Sequence, residues 1–156
     1  MINNEILRRL RYTFDLNDDK MIGIFKKGGL ETSREQICNW LRKDEDSDFQ
    51  PIKDVETAIF LNGFIVEKRG PKDGPSPDAE KYLTNNLVLR KLKIALNLKD
   101  SDILEIMEIA EFRIGKHELS ALFRKSGHKH YRECKDQFLR NFLSGLQIKN
   151  RPNLEK

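Results

Sequence analysis

The sequence predicts an all-α protein built from two homologous four-helix units in tandem, related by a pseudo-twofold. Three observations carry this reading. Shifted by 82 positions, the chain aligns with itself without a gap from Asn3–Phe64 onto Asn85–Leu146, with about 15 of 62 pairs identical. Such a self-match marks a repeated supersecondary unit. Apolar residues recur at helical spacing in both copies, whereas strand-like alternation is scarce. A Pro/Gly-rich stretch, RGPKDGPSP at Arg69–Pro77, separates the copies and carries no apolar stripe. The resulting domain map is residues 1–66, a linker over 67–84, residues 85–146, and a polar tail over 147–156.

Each copy reads as four helices. The first begins at Asn3 or Asn85, whose side chain is expected to accept from first-turn amides. Ile6, Leu7, Leu10 and Phe14 form its apolar stripe, matched by Val88, Leu89, Leu92 and Leu96. Asp18 and Asp100 are the expected N-caps of the second helix, with Met21, Ile22 and Phe25, or Ile103, Leu104 and Met107, facing inward. Gly28-Gly29 stops that helix in the first copy, and Ala110-Glu111 predicts a longer helix in the second. Ser33 and Gln36 suggest a capping box before the third helix, which buries Ile37, Trp40 and Leu41; the second copy has Gly115 and Glu118, then Leu119, Leu122 and Phe123. The fourth helix starts near Lys53 or Lys135, with Gly63 and Gly145 as expected C-terminal stops.

Composition bounds function without specifying it. Charged residues make up 35% of the chain with both signs mixed, and the net charge is +4. That balance permits an acidic partner or nucleic acid. The N-terminus lacks the apolar core of a signal peptide, and no apolar run approaches a membrane span. Cys38 and Cys134 make no disulfide framework and read as reduced thiols. Together these features lead one to expect a cytoplasmic protein without membrane contact.

The closing run of the second copy, GHKHYRECKDQFLRNFLSGL at Gly127–Leu146, together with the duplication, resembles the YehS-like family of bacterial proteins. In that family a domain of unknown function occurs twice in one chain. The resemblance covers nearly the whole sequence. It implies a small cytoplasmic bacterial protein and carries over no catalytic residue.

The copies differ most in charge. Asn3–Phe64 holds 10 basic and 12 acidic residues, whereas Asn85–Leu146 holds 12 basic and 8 acidic. The difference is concentrated where DEDSD at Asp44–Asp48 aligns with SGHKH at Ser126–His130. Arg124, Lys125, His128, Lys129, His130, Arg132 and Lys135 surround Tyr131 and are the candidate residues for binding a polyanion or an acidic protein. A solvated mixed-charge face has the same composition. Tyr131 aligns with Phe49, which points to a packing role.

Other constellations are weaker. His128, His130 and Cys134, with His117 and Glu133 nearby, contain ligand types for zinc but no paired CxxC or HExxH, so no metal site is assigned. A Cys134–His130 nucleophile pair lacks an orienting third group, and no catalytic residue is assigned. P-loop, GxGxxG, GxSxG and EF-hand signatures are absent, and no cofactor is implied. The second and third helices resemble a helix-turn-helix in outline. Arg34, Gln36 and Asn39 would contact bases, but the connection is long, and Gly115, Lys116, Glu118 and Ala121 suit bases less well. The sequence therefore favours a non-enzymatic protein-binding or adaptor module, with homo-oligomerisation open. A nucleic-acid-binding regulator using the second copy's basic cluster is the alternative.

Overall fold

The computed structural model describes residues 1–74 and 78–151. Among these the chain is helical, without strands. The helices are α1 (Asn3–Thr13), α2 (Asp18–Lys27), α3 (Arg34–Leu41), α4 (Asp54–Arg69), α5 (Asn85–Ala95), α6 (Asp100–Ile109), α7 (Lys116–Leu122) and α8 (Asp136–Asn150). Two compact units divide the chain at Leu83/Thr84, each with four helices. Part of the Pro/Gly linker (residues 75–77) and of the expected tail (152–156) lies outside the described residues.

In the first unit α2 and α4 form the principal helix pair, with α3 against α1 and α2. Leu7, Leu10, Met21, Ile24, Phe25, Ile37, Trp40, Phe60 and Phe64 are buried. Phe25 is tilted against Trp40 at 5.2 Å and against Phe60 at 4.9 Å, joining α2, α3 and α4. The second unit pairs α6 with α8, and its core is more aliphatic: Met107 and Leu122 stand where Phe25 and Trp40 stand. The inward stripe of the second helix is Met21, Ile24 and Phe25, or Ile103, Ile106 and Met107; Ile22 and Leu104 are only half-buried, as are Leu41 and Phe123. The whole-turn spacing from Met21 to Ile24 and Phe25 keeps these three on one face.

Glycine explains the close helix pairing. A Cβ on Gly63 would lie 1.9 Å from the Ile24 carbonyl oxygen, and one on Gly145 would lie 2.3 Å from that of Ile106. These glycines are therefore crossing points inside α4 and α8, not the helix stops expected from the sequence. Helix α4 continues to Arg69 and ends at Gly70, whose φ of +85° is left-handed. The second copy continues through residues 147–150, which the sequence assigns to a tail; the Asn150 side chain donates from Nδ2 to the Leu146 carbonyl, and Pro152 follows in sequence.

Helix ends also differ from expectation. Asn17 and Lys99 occupy the N-cap positions of α2 and α6, with Asp18 and Asp100 one residue inside. Helix α6 is no longer than α2. Glu111 takes φ +60° where Gly29 has +103°, and the amides of Glu111 and Phe112 bond to the carbonyls of Glu108 and Met107. The second unit thus closes the same 6→1 cap as Gly29 and Leu30, with a non-glycine residue in left-handed backbone.

A basic groove in the second unit

The paired asparagines at the start of each unit do not cap their helices. Thr84 does so for α5, its hydroxyl accepting from the Leu87 amide. Instead, the asparagines fasten the loop between the third and fourth helices. Asn86 is buried; its Nδ2 donates to the carbonyls of Leu122 (3.0 Å) and Arg132 (2.9 Å). Asn85 donates to the Cys134 carbonyl at 3.0 Å and to Asp136 at 2.7 Å. Asn4 and Asn3 repeat these bonds on Trp40, Gln50, Ile52 and Asp54. The loop backbone is thus fixed from beneath, and most of its side chains are exposed, with Ile52 and Cys134 buried.

In the second unit this loop folds back on α7, where the Arg132 amide bonds to the Ala121 carbonyl at 3.1 Å. Between loop and helix lies an open groove of about 530 Å³, lined by His117, Glu118, Ala121, Arg124, Lys129, His130, Tyr131 and Arg132. Four of the expected binding residues, Arg124, Lys129, His130 and Arg132, therefore meet. Lys125, His128 and Lys135 are outside the lining. Lys135 pairs with Glu133 at 3.2 Å, while His128 supports the loop: its Nδ1 accepts from the His130 amide at 3.0 Å. The sequence reading did not place His117, Glu118, Ala121 and Tyr131 in the site. The i, i+4 spacing of His117 and Ala121 hints at a shared face, but the fold-back that joins them to Arg132 is non-local.

The same positions in the first unit are closed by polar bonds. Gln36 donates to Gln50 at 2.8 Å, Arg42 donates to Asn39 at 3.1 Å, and Arg42 pairs with Asp46 at 3.5 Å. Arg34 pairs with Asp19 at 3.1 Å. All three residues proposed to read bases, Arg34, Gln36 and Asn39, are thus bonded within their own unit. In the second unit, Ala121 replaces Asn39 and His128 replaces Asp46, which removes both restraints on the arginine at 124. Among the described residues, Arg124, Lys125 and Lys129 make no ion pair. Arg132 faces Glu118 at 3.8 Å, with both side chains more than half exposed, a geometry that holds the guanidinium only weakly.

The chemistry of Cys134 lies apart from the groove. It is 1% exposed, whereas His130 is exposed. Burial pushes the thiol up to about 12, with the charges of Asp136 and Glu133 adding to it. A thiol so raised is a poor nucleophile at neutral pH. Among the described residues, no three His, Cys, Asp or Glu side chains gather closely enough to hold a metal ion. No helix among them is long and apolar enough to cross a membrane.

Comparison with known proteins agrees with the duplication. The chain is 44% identical over 147 residues to an Escherichia coli (strain K12) protein named "Uncharacterized protein YehS", covering 94% of each. No solved structure matches. The family described as "Protein of unknown function (DUF1456)" matches twice, over residues 3–70 and 85–151. By both measures the chain belongs to this YehS-like family, with two copies of its domain.

Proposed function

We propose that the chain is a non-catalytic binding module that takes the phosphate backbone of nucleic acid on its second unit. One observation carries this reading: Arg124 and Lys129 line a concave site without a carboxylate partner, whereas the equivalent Arg42 of the first unit is held by Asn39 and Asp46. Lysine and arginine kept clear of internal pairs are free to replace the counterions of phosphates. A salt titration of fluorescence anisotropy with labelled nucleic acid tests it. Each phosphate contact steepens the log–log salt dependence by roughly 0.7–0.9. Arg124→Glu combined with Lys129→Glu is expected to flatten that slope by about 2. Absence of any binding at low salt rejects the reading.

A protein-binding or adaptor role is the second reading. Tyr12 and Ile94 occupy the same repeat position and are 42% and 45% exposed, so each unit presents a large apolar side chain at one place on its first helix. A partner retained through moderate salt, or a homodimer on light scattering, and lost in Tyr12→Lys with Ile94→Lys, would favour it. We also place the protein in the cytoplasm, where Cys38 and Cys134 would remain the free thiols seen here. Fractionation of cells tests that placement.

A further inference from the structure

We infer that the groove of the second unit accepts one nucleotide of a single strand, its base against Tyr131 and its phosphate on Arg124, Lys129 and Arg132. This rests on the nucleic-acid reading above and narrows it. Shape is the first argument. Proteins that read a duplex insert a helix or ribbon into its major groove. The site here is an open concavity between α7 and the following loop, not a projecting helix or ribbon. A concave site suits a base splayed from its neighbours, as single strands allow.

The lining is the second argument. Single-strand sites combine a positive track for the backbone with an aromatic face on which a base stacks. Tyr131 is the aromatic residue of the lining, beside three cations. It is half-buried, and its amide donates to the His128 carbonyl at 2.9 Å, so its backbone position is set before any ligand arrives. Ordering the platform in advance lowers the entropic cost of binding. Glu118, across the groove, is an acceptor for the exocyclic amino groups of bases.

The first unit supplies the third argument. Phe49 stands where Tyr131 stands, so an aromatic ring is common to both copies. The surrounding positions differ: Gln36 bonds Gln50 and Asn39 bonds Arg42, whereas the second unit has Glu118, Arg132 and Ala121 at the positions of Gln36, Gln50 and Asn39. Ala121 in place of Asn39 removes the side-chain acceptor that holds Arg42 in the first unit. Replacing it, Ala121→Asn, should give Arg124 the side-chain acceptor that Arg42 has and weaken binding without altering the fold.

The test uses the full chain and a fluorescein-labelled single-stranded DNA dodecamer, compared with its duplex and with the RNA dodecamer of the same sequence. Either single strand is expected to bind about tenfold tighter than the duplex. Tyr131→Leu should weaken single-strand binding about tenfold while leaving retention on heparin unchanged, and Tyr131→Phe should bind like the parent. Equal or tighter duplex binding overturns the inference while sparing the broader reading. So does a folded Tyr131→Leu variant that binds single strands as well as the parent. Adenosine monophosphate competing at the same concentration as the strand would assign the site to free nucleotides and also overturn it. If Tyr131→Leu does not fold, the single-strand to duplex ratio of the parent decides. Failure of every probe, heparin included, rejects the nucleic-acid reading and this inference with it.

Discussion

Asn86 holds Cys134 across 48 positions of the chain: its Oδ1 accepts the Cys134 amide at 2.9 Å. The same side chain donates to Leu122 and Arg132, so one buried amide uses its acceptor and both donors on backbone from α7 and the following loop. Asn4 does the same with Ile52, Trp40 and Gln50 in the first unit. A loop whose backbone approaches the core needs partners that no helix supplies. The asparagine provides them, and it also sets the floor of the groove through the Arg132 carbonyl.

Removing that amide should be costly. Asn86→Ala leaves a buried amide and two carbonyls without partners, a loss of about 2–4 kcal/mol. Asn86→Asp keeps the acceptor but turns a carboxylate toward two carbonyls, and should be at least as destabilising. Urea unfolding followed by circular dichroism measures both. A loss below about 0.5 kcal/mol for Asn86→Ala would show that water satisfies these groups equally well.

The glycines should separate into two kinds. Gly63→Ala and Gly145→Ala force a methyl against the carbonyls of Ile24 and Ile106, which belong to rigid helix backbone. The helices must part, at about 1–3 kcal/mol each. Gly23 lies inside α2 with nothing within 4 Å of its missing Cβ, so Gly23→Ala should stabilise by about 0.5–1 kcal/mol. Thermal melts of the three variants check the contrast; a uniform response would mean that the close crossings do not limit packing.

Glu111 is a position where the second unit should be improvable. Its φ of +60° costs an L-residue roughly 1 kcal/mol, and the first unit has Gly29 there. Glu111→Gly should therefore stabilise by about 0.5–1 kcal/mol, despite the freedom glycine adds to the unfolded chain. A denaturation midpoint at or below that of the parent would contradict this.

Much of the fold was legible because the repeat made each helix testable twice. The number and order of helices, the starts near Lys53 and Lys135, and most of the apolar positions follow from local spacing. Glycine was ambiguous: the sequence does not distinguish a helix stop from a crossing point, and Gly63 and Gly145 are crossings. Glu111 shows the converse, since the helix ends there in left-handed backbone although no glycine marks the stop. For the groove, charge divergence at Ser126–His130 pointed to the loop from which Lys129 and His130 line it. It could not show that Arg42 bonds Asn39 only three residues away, and so that Ala121 leaves Arg124 without that acceptor, because a side-chain bond is not fixed by spacing; nor that Arg132 folds back onto Ala121 of α7, which depends on the path of the intervening loop.

The two thiols should behave oppositely. Cys38 is exposed and should react promptly with a disulfide reagent at pH 8, while Cys134 stays silent until the second unit unfolds. Burial raises the Cys134 thiol to about 12, with the charges of Asp136 and Glu133 adding to the effect, against an ordinary value of 9.0. The folded state therefore favours the protonated form. That stabilisation is present below pH 9 and is lost as the pH climbs toward 12, because the unfolded chain ionises first. The loss attributable to this group amounts to at most about 4 kcal/mol. Lysine and tyrosine titrate in the same range, so the control is Cys134→Ile, which places in the second unit the residue that occupies position 52 in the first. Chemical denaturation at pH 9, 10 and 11 should show the parent losing stability faster than the variant. Parallel curves would mean that the thiol contributes nothing to the alkaline limit.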